Sequence, residues 1–209
     1  MKLSQYVTDP CGLLSIPWWK HREIRLPPHI KILHQRDYTP DAAEGYRDQV
    51  YFRLLHDLKS VPEVPSDEFR IKSISPDDAD RIASIINRSY PDIRVSEARI
   101  RAMADSTAFC PELWIAVCDP HDNTPLGCAM ADFHRESGEM SIEWVQVLPL
   151  FRRRGIGRIL VSELLRRAPE GARFATVSGQ VASNSHPEAL YRRCGFTGND
   201  YWHILTKEN

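Results

Sequence analysis

The 209-residue sequence predicts an α/β fold: a mixed, mostly antiparallel central sheet flanked by helices, behind a proline-rich N-terminal extension. Three observations predict it. After about residue 68, apolar segments alternating with period two are interleaved with segments of helical period. Two of the strand segments are joined by a turn cluster at residues 121–127, HDNTPLG, which makes a meander. Seven of the fifteen prolines fall within the first 65 residues, where regular structure must therefore be short.

Each element has its own signal. In residues 41–59, Tyr46, Val50, Leu54 and Leu58 recur every four positions, with Tyr51 and Leu55 beside them, an amphipathic-helix pattern. Residues 60–68, SVPEVPSDE, read as a linker, so the chain divides into an extension, 1–67, and a domain, 68–209. Phe69, Ile71 and Ile74 mark a first strand. Ser75-Pro76-Asp77-Asp78 is a helix start, with a capping hydroxyl, proline in the first turn and acids at the positive end of the dipole. Ile82, Ile85 and Ile86 carry that helix to about Ser89, and a second begins after Ser96. Leu113, Ile115 and Val117 alternate in a strand, and residues 128–133 continue as the next. A strand at 139–147 and a helix at 155–168 follow. Then come a strand at 173–178, a helix at 187–193 and a last strand at 201–206. The order β-α-α-β-β-β-α-β-α-β contains one βαβ crossover near its end.

Composition bounds the function. The apolar fraction, 42%, suits a globular chain with a real core rather than a disordered one. No apolar stretch is long enough for a membrane span, and residues 1–17 lack a signal-peptide core, so the expected location is cytoplasmic. Five cysteines without a CxxC pair argue against a disulfide framework or zinc knuckle; reduced, buried thiols are expected. The eight histidines show no metal-binding spacing, and no metal is assigned. The formal charge of −1 argues against a dedicated nucleic-acid binder. Its distribution is uneven, however. Arg152, Arg153, Arg154, Arg158, Arg166, Arg167 and Arg173 are opposed only by Glu163 and Glu170 in that stretch.

The excess starts where a strand gives way to a helix: Val147-Leu148-Pro149-Leu150-Phe151-Arg152-Arg153-Arg154-Gly155-Ile156-Gly157-Arg158. The first N–H groups of a helix lack intrahelical partners and carry its positive dipole end, and glycines let an anion approach the backbone. Arginines beside such a loop suit a ligand with several phosphates. The P-loop pattern GxxxxGK[ST] is absent, and the third glycine of a dinucleotide fingerprint is replaced by Leu160.

The run Val147-x-Pro149-x-x-Arg152-x-x-Gly155-x-Gly157 resembles the acetyl-CoA loop of GNAT-type N-acetyltransferases, whose core pattern is (Q/R)xxGx(G/A). A second block, Asn184-Ser-His-Pro187-Glu-Ala189-Leu190-Tyr191-Arg-Arg-Cys-Gly195-Phe196, resembles that family's NxxAxxLYxxxGF, with Pro187 where alanine is usual. The resemblance covers roughly residues 69–206 and implies a GNAT-like fold. It implies that acetyl-CoA is the co-substrate, its pyrophosphate held by backbone N–H groups of Arg153, Arg154, Gly155, Ile156, Gly157 and Arg158. Arg152 or Arg153 would meet the 3′-phosphate. Val145, Gln146 and Val147 would hold the pantetheine arm, through the backbones of the two valines, and Asn184 would bond it or shape the loop. Tyr191 would protonate the departing thiolate. Strict alternation puts Glu139, Ser141, Glu143, Val145 and Val147 on one face of their strand. Polar side chains in a central strand suit a cleft, and Glu143, then Glu139, are the candidates to take the amine's proton.

The expected reaction is direct transfer of an acetyl group in a ternary complex to a primary amine, a small molecule before a peptide N-terminus or lysine. The rival is a non-catalytic acyl-CoA-binding sensor or interaction module with the same fold. Residues 1–67, with adjacent Trp18 and Trp19, are too few to make their own core and would pack on the domain or on a second subunit of a homodimer.

Overall fold

The computed structural model describes residues 1–64, 67–90, 93–183 and 185–207. Among the described residues it is a mixed α/β fold of mostly antiparallel sheet flanked by helices. In chain order the helices are α1 (Leu3–Tyr6), α2 (Pro10–Leu13), α3 (Trp18–Glu23), α4 (Pro40–Ala43), α5 (Ala79–Ser89), α6 (Glu97–Met103), α7 (Ile156–Arg166) and α8 (Pro187–Arg193). The strands are β1 (Ile30–His34), β2 (Tyr46–His56), β3 (Arg70–Ser73), β4 (Trp114–Cys118), β5 (Pro125–His134), β6 (Glu139–Val147), β7 (Phe174–Gln180) and β8 (Thr197–Lys207). The chain divides into two compact units, one of residues Leu58–Ala175 and one of Met1–Asp57 with Thr176–Asn209.

In the first unit the strands run β6-β5-β4-β3, and each of these pairs is antiparallel. One face of this sheet, through Trp114, Ala116, Cys128 and Met130, meets Ile82, Ile86 and Ile100 of α5 and α6 in a closed apolar cluster. Ile115, Val117 and Ala129 alternate onto the other face and are buried too, and α7 packs against β4, β5 and β6. Both faces are covered, which is why β4, WIAVC, is apolar at every position. Ser75 caps the turn before α5 as its sequence requires, receiving the Asp77 N–H at 3.2 Å while Asp78 receives the Ser75 N–H at 3.0 Å.

In the second unit β8 is paired antiparallel on both sides, with β1 and with β2. The helix expected at residues 41–59 is therefore corrected: only Pro40–Ala43 is helical, and Tyr46–His56 is a strand. A four-residue spacing is also an even spacing, so Tyr46, Val50 and Leu54 satisfy strand and helix alike. The β-formers Val50, Tyr51 and Phe52 and the ladder to β8 decide for the strand. Arg53, 2% exposed, donates to the Tyr6 hydroxyl at 3.0 Å, to the Pro10 carbonyl at 3.3 Å, and to the hydroxyls of Thr176 and Ser178 at 3.3 and 3.2 Å. Trp202 Nε1 donates to the Cys11 carbonyl at 2.8 Å. Helices α1 and α2 are thus hydrogen-bonded to β2 and β8.

Among the described residues no helix is long and apolar enough to cross a membrane, and no three His, Cys, Asp or Glu side chains are placed to hold a metal ion. All five cysteines are buried and none is in a disulfide; burial pushes the Cys110 thiol up to about 11 and that of Cys128 to about 12.

Candidate functional site

The strand β6, the loop after it and the start of α7 all lie in one unit. Opposite β5, β6 carries an extra residue: Met130 pairs with Trp144 and Ala131 with Ile142, which places Glu143 in a bulge. Cross-strand partners share a face, so the bulge exchanges the faces of β6 beyond it. Glu139 and Ser141 lie on the face of Trp144 and Gln146; Ile142 lies with Val145 and Val147. The single polar face expected from strict alternation is corrected accordingly, because alternation holds only while both strands advance together.

Glu139 is fully buried, and Glu143, half-buried at the bulge, accepts from the Ser141 hydroxyl at 2.7 Å. Register places Asp132, 5% exposed, beside Ser141, and His134 beside Glu139. His134 Nδ1 lies 2.9 Å from the Ser137 hydroxyl. Sequence reasoning had passed over Asp132 and His134; a lone acid and a histidine at even spacing from Cys128 and Met130 were the available signal.

Toward the end of β6, Gln146 is buried and accepts from the Cys128 thiol at 3.7 Å. It also bonds the Tyr90 side chain, whose phenol burial pushes up while the Arg152 charge pulls it down. The Leu148 N–H donates to Leu126 of β5 at 2.9 Å. In an antiparallel ladder alternate residues direct their N–H and C=O groups to opposite sides, so those of Val145 and Val147 point away from β5.

A short 3-10 turn, Pro149–Phe151, leads to two residues in left-handed backbone, Arg153 at φ 65° and Gly155 at φ 82°. Gly155 is the N-cap of α7, and among the described residues no side chain caps the helix. The first intrahelical bond runs from the Ile159 N–H to the Gly155 carbonyl at 3.1 Å. The N–H groups of Ile156, Gly157 and Arg158 therefore precede the ladder, and nothing lies within 4 Å of where a Cβ on Gly155 would be.

The arginine excess resolves into separate roles. Arg166 and Arg167 each bond Glu163 at 2.7 Å, and Arg173 donates to the Ser137 carbonyl at 2.6 Å. Arg154 lies 5.2 Å from the centre of the Phe69 ring. Arg152 donates to the Val147 and Ser89 carbonyls, at 3.1 and 2.6 Å. Arg153 is exposed, and the Nε of Arg158 is buried without a hydrogen-bond partner among the described residues.

Of the remaining predicted residues, Asn184 lies outside the described residues. Tyr191 belongs to the other unit, on α8. It is 7% exposed and packs against Phe52 and Phe196 with ring centres 6.1 and 5.7 Å away.

The profile of the Acetyltransferase (GNAT) family matches residues 79–196. None of the curated proteins matches the chain in sequence. Among solved structures, a GCN5-related N-acetyltransferase from Sphaerobacter thermophilus is similar with a TM-score of 0.68 at 20% identity, covering 91% of this chain and 64% of that one. This chain thus spans just under two thirds of that protein's length. A GCN5-related N-acetyltransferase from Kribbella flavida gives 0.60 at 17%, covering 86% and 68%. The ribosomal-protein-S18-alanine N-acetyltransferase from Escherichia coli gives 0.51 at 20%, covering 66% and 91%. At such identities the likeness is one of fold.

Proposed function

Because this chain belongs to the acetyltransferase (GNAT) family, whose profile spans more than half of it, we propose that it is an acetyl-CoA-dependent N-acetyltransferase acting on a primary amine. The observation that carries the reading is the uncapped start of α7, with N–H groups open beside Gly155 and the orphaned Nε of Arg158 one turn in. These residues fit a pyrophosphate. Acetyl-CoA supplies an activated acyl group; the chain's residues bind, orient and move protons.

Backbone N–H groups of residues 153–158 hold the diphosphate, and Arg153 and Arg158 add charge. The N–H and C=O groups of Val145 and the N–H of Val147, directed away from β5, suit an extended amide-bearing arm; the Val147 carbonyl is held by Arg152. A backbone N–H on this strand polarises the thioester carbonyl. Glu143, at the bulge and held by Ser141, accepts the amine's proton directly or through water, with Glu139 the second candidate. The family resemblance gives Tyr191 the task of protonating the thiolate. The acceptor is a small-molecule amine before a peptide N-terminus or lysine, and the site of action is cytoplasmic.

The test is release of free thiol from acetyl-CoA across a panel of small amines, polyamines, and lysine-containing and N-terminal peptides. Turnover with any of them supports the reading. Tight CoA binding with no release anywhere supports the sensor instead. Tyr191→Phe is expected to lower turnover at least tenfold with little change in CoA affinity; an unaltered rate removes Tyr191 from the chemistry.

A further inference from the structure

We infer that Arg152 is a positioning residue, which ties the end of α5 to the end of β6 and so sets the loop entering α7, without itself meeting the ligand. The inference deepens the acetyl-CoA reading above and rests on it.

Three contacts converge at this place. The Arg152 Nε donates to the Val147 carbonyl, the last residue of β6, at 3.1 Å. Its Nη2 donates to the carbonyl of Ser89, the last residue of α5, at 2.6 Å. Beside it the next residue along, Tyr90, bonds Gln146 of β6 through its side chain. A guanidinium on the C-terminal carbonyl of an eleven-residue helix meets the negative end of the helix dipole, so its charge is already opposed. The short bond to Ser89 is charge-assisted. The other contact occupies a carbonyl on the side of β6 directed away from β5, so Val147 presents its N–H to an arm lying there while its carbonyl is engaged.

The geometry also says which substitutions matter. A glutamine amide nitrogen stands the same number of bonds from Cα as the arginine Nε. Gln at 152 keeps a donor for Val147 and loses both the charge and the bond to Ser89. Met matches the chain length and keeps no donor.

The experiment titrates the full chain with CoA and with dephospho-CoA, which lacks the 3′-phosphate, in wild type, Arg152→Gln and Arg152→Met. Affinity is expected to fall about threefold in the Gln variant and about thirtyfold in the Met variant, by equal factors for both ligands. Equal losses in the two variants, or losses that vanish with dephospho-CoA, make Arg152 a phosphate ligand and overturn the inference alone. A lowered melting temperature with unchanged CoA affinity reduces Arg152 to a purely structural staple and also overturns it. Should the Met variant not fold, the Gln variant with the two ligands still separates these outcomes. A wild type that binds neither ligand overturns the acetyl-CoA reading and this inference together.

Discussion

Arg153 adopts a left-handed backbone, φ 65°, that a β-carbon disfavours by roughly 1 kcal/mol. Strain of this kind at the turn into an anion-binding helix suggests that charge is retained there at a cost in stability. Arg153→Gly should raise the melting temperature by about 2–4 °C while weakening CoA binding, read by thermal unfolding and titration. His56 offers a second test. It is 2% exposed, and burial holds its pKa below the ordinary value near 6.5. The unfolded chain therefore takes up the proton first as pH falls. Stability is full above about pH 6.5 and declines below it, toward the lowered folded value. Melting temperature should drop between pH 7 and 5.5, and His56→Asn should flatten that slope. At this scale the sequence was partly legible. Glu139 and Glu143 could be named as acids on the strand, but the Glu143 bulge depends on register with β5, which no local pattern encodes.

Among the elements, α7 was the most legible. Its apolar positions, its glycine start and its arginine end are all local, and the helix runs Ile156–Arg166 where 155–168 was expected. Gly157 stands in its first turn. Gly157→Trp should reduce CoA affinity at least a hundredfold by filling the space over the open N–H groups, with near-normal far-UV circular dichroism. Ordinary binding would remove the loop from the site. The least legible element was β2. Its four-residue spacing fits two periods, and the choice is made by β8, some 150 residues further along the chain. Only non-local pairing distinguishes them.

On the scale of the whole molecule, the N-terminal segment is where local signals are weakest and long-range bonds strongest. Tyr6 is fully buried and its hydroxyl receives a bond from the buried Arg53. Neither residue carries a motif, and no spacing relates them, so the sequence offered only that two adjacent tryptophans need cover. Tyr6→Phe leaves the ring in place and removes the acceptor, which costs about 1–3 kcal/mol beside a guanidinium. The melting temperature should fall by roughly 2–12 °C; an unchanged value would mean that the segment adds no stability through this bond.

The buried state of every cysteine has a practical consequence. Only thiolates react quickly with aromatic disulfide reagents, and thiols that are enclosed, two of them raised to about 11 and 12, stay protonated and out of reach at neutral pH. The native protein should therefore be nearly silent to such a dye. Colour that grows during turnover would then report liberated coenzyme rather than the catalyst, so product can be followed continuously and without a separation step.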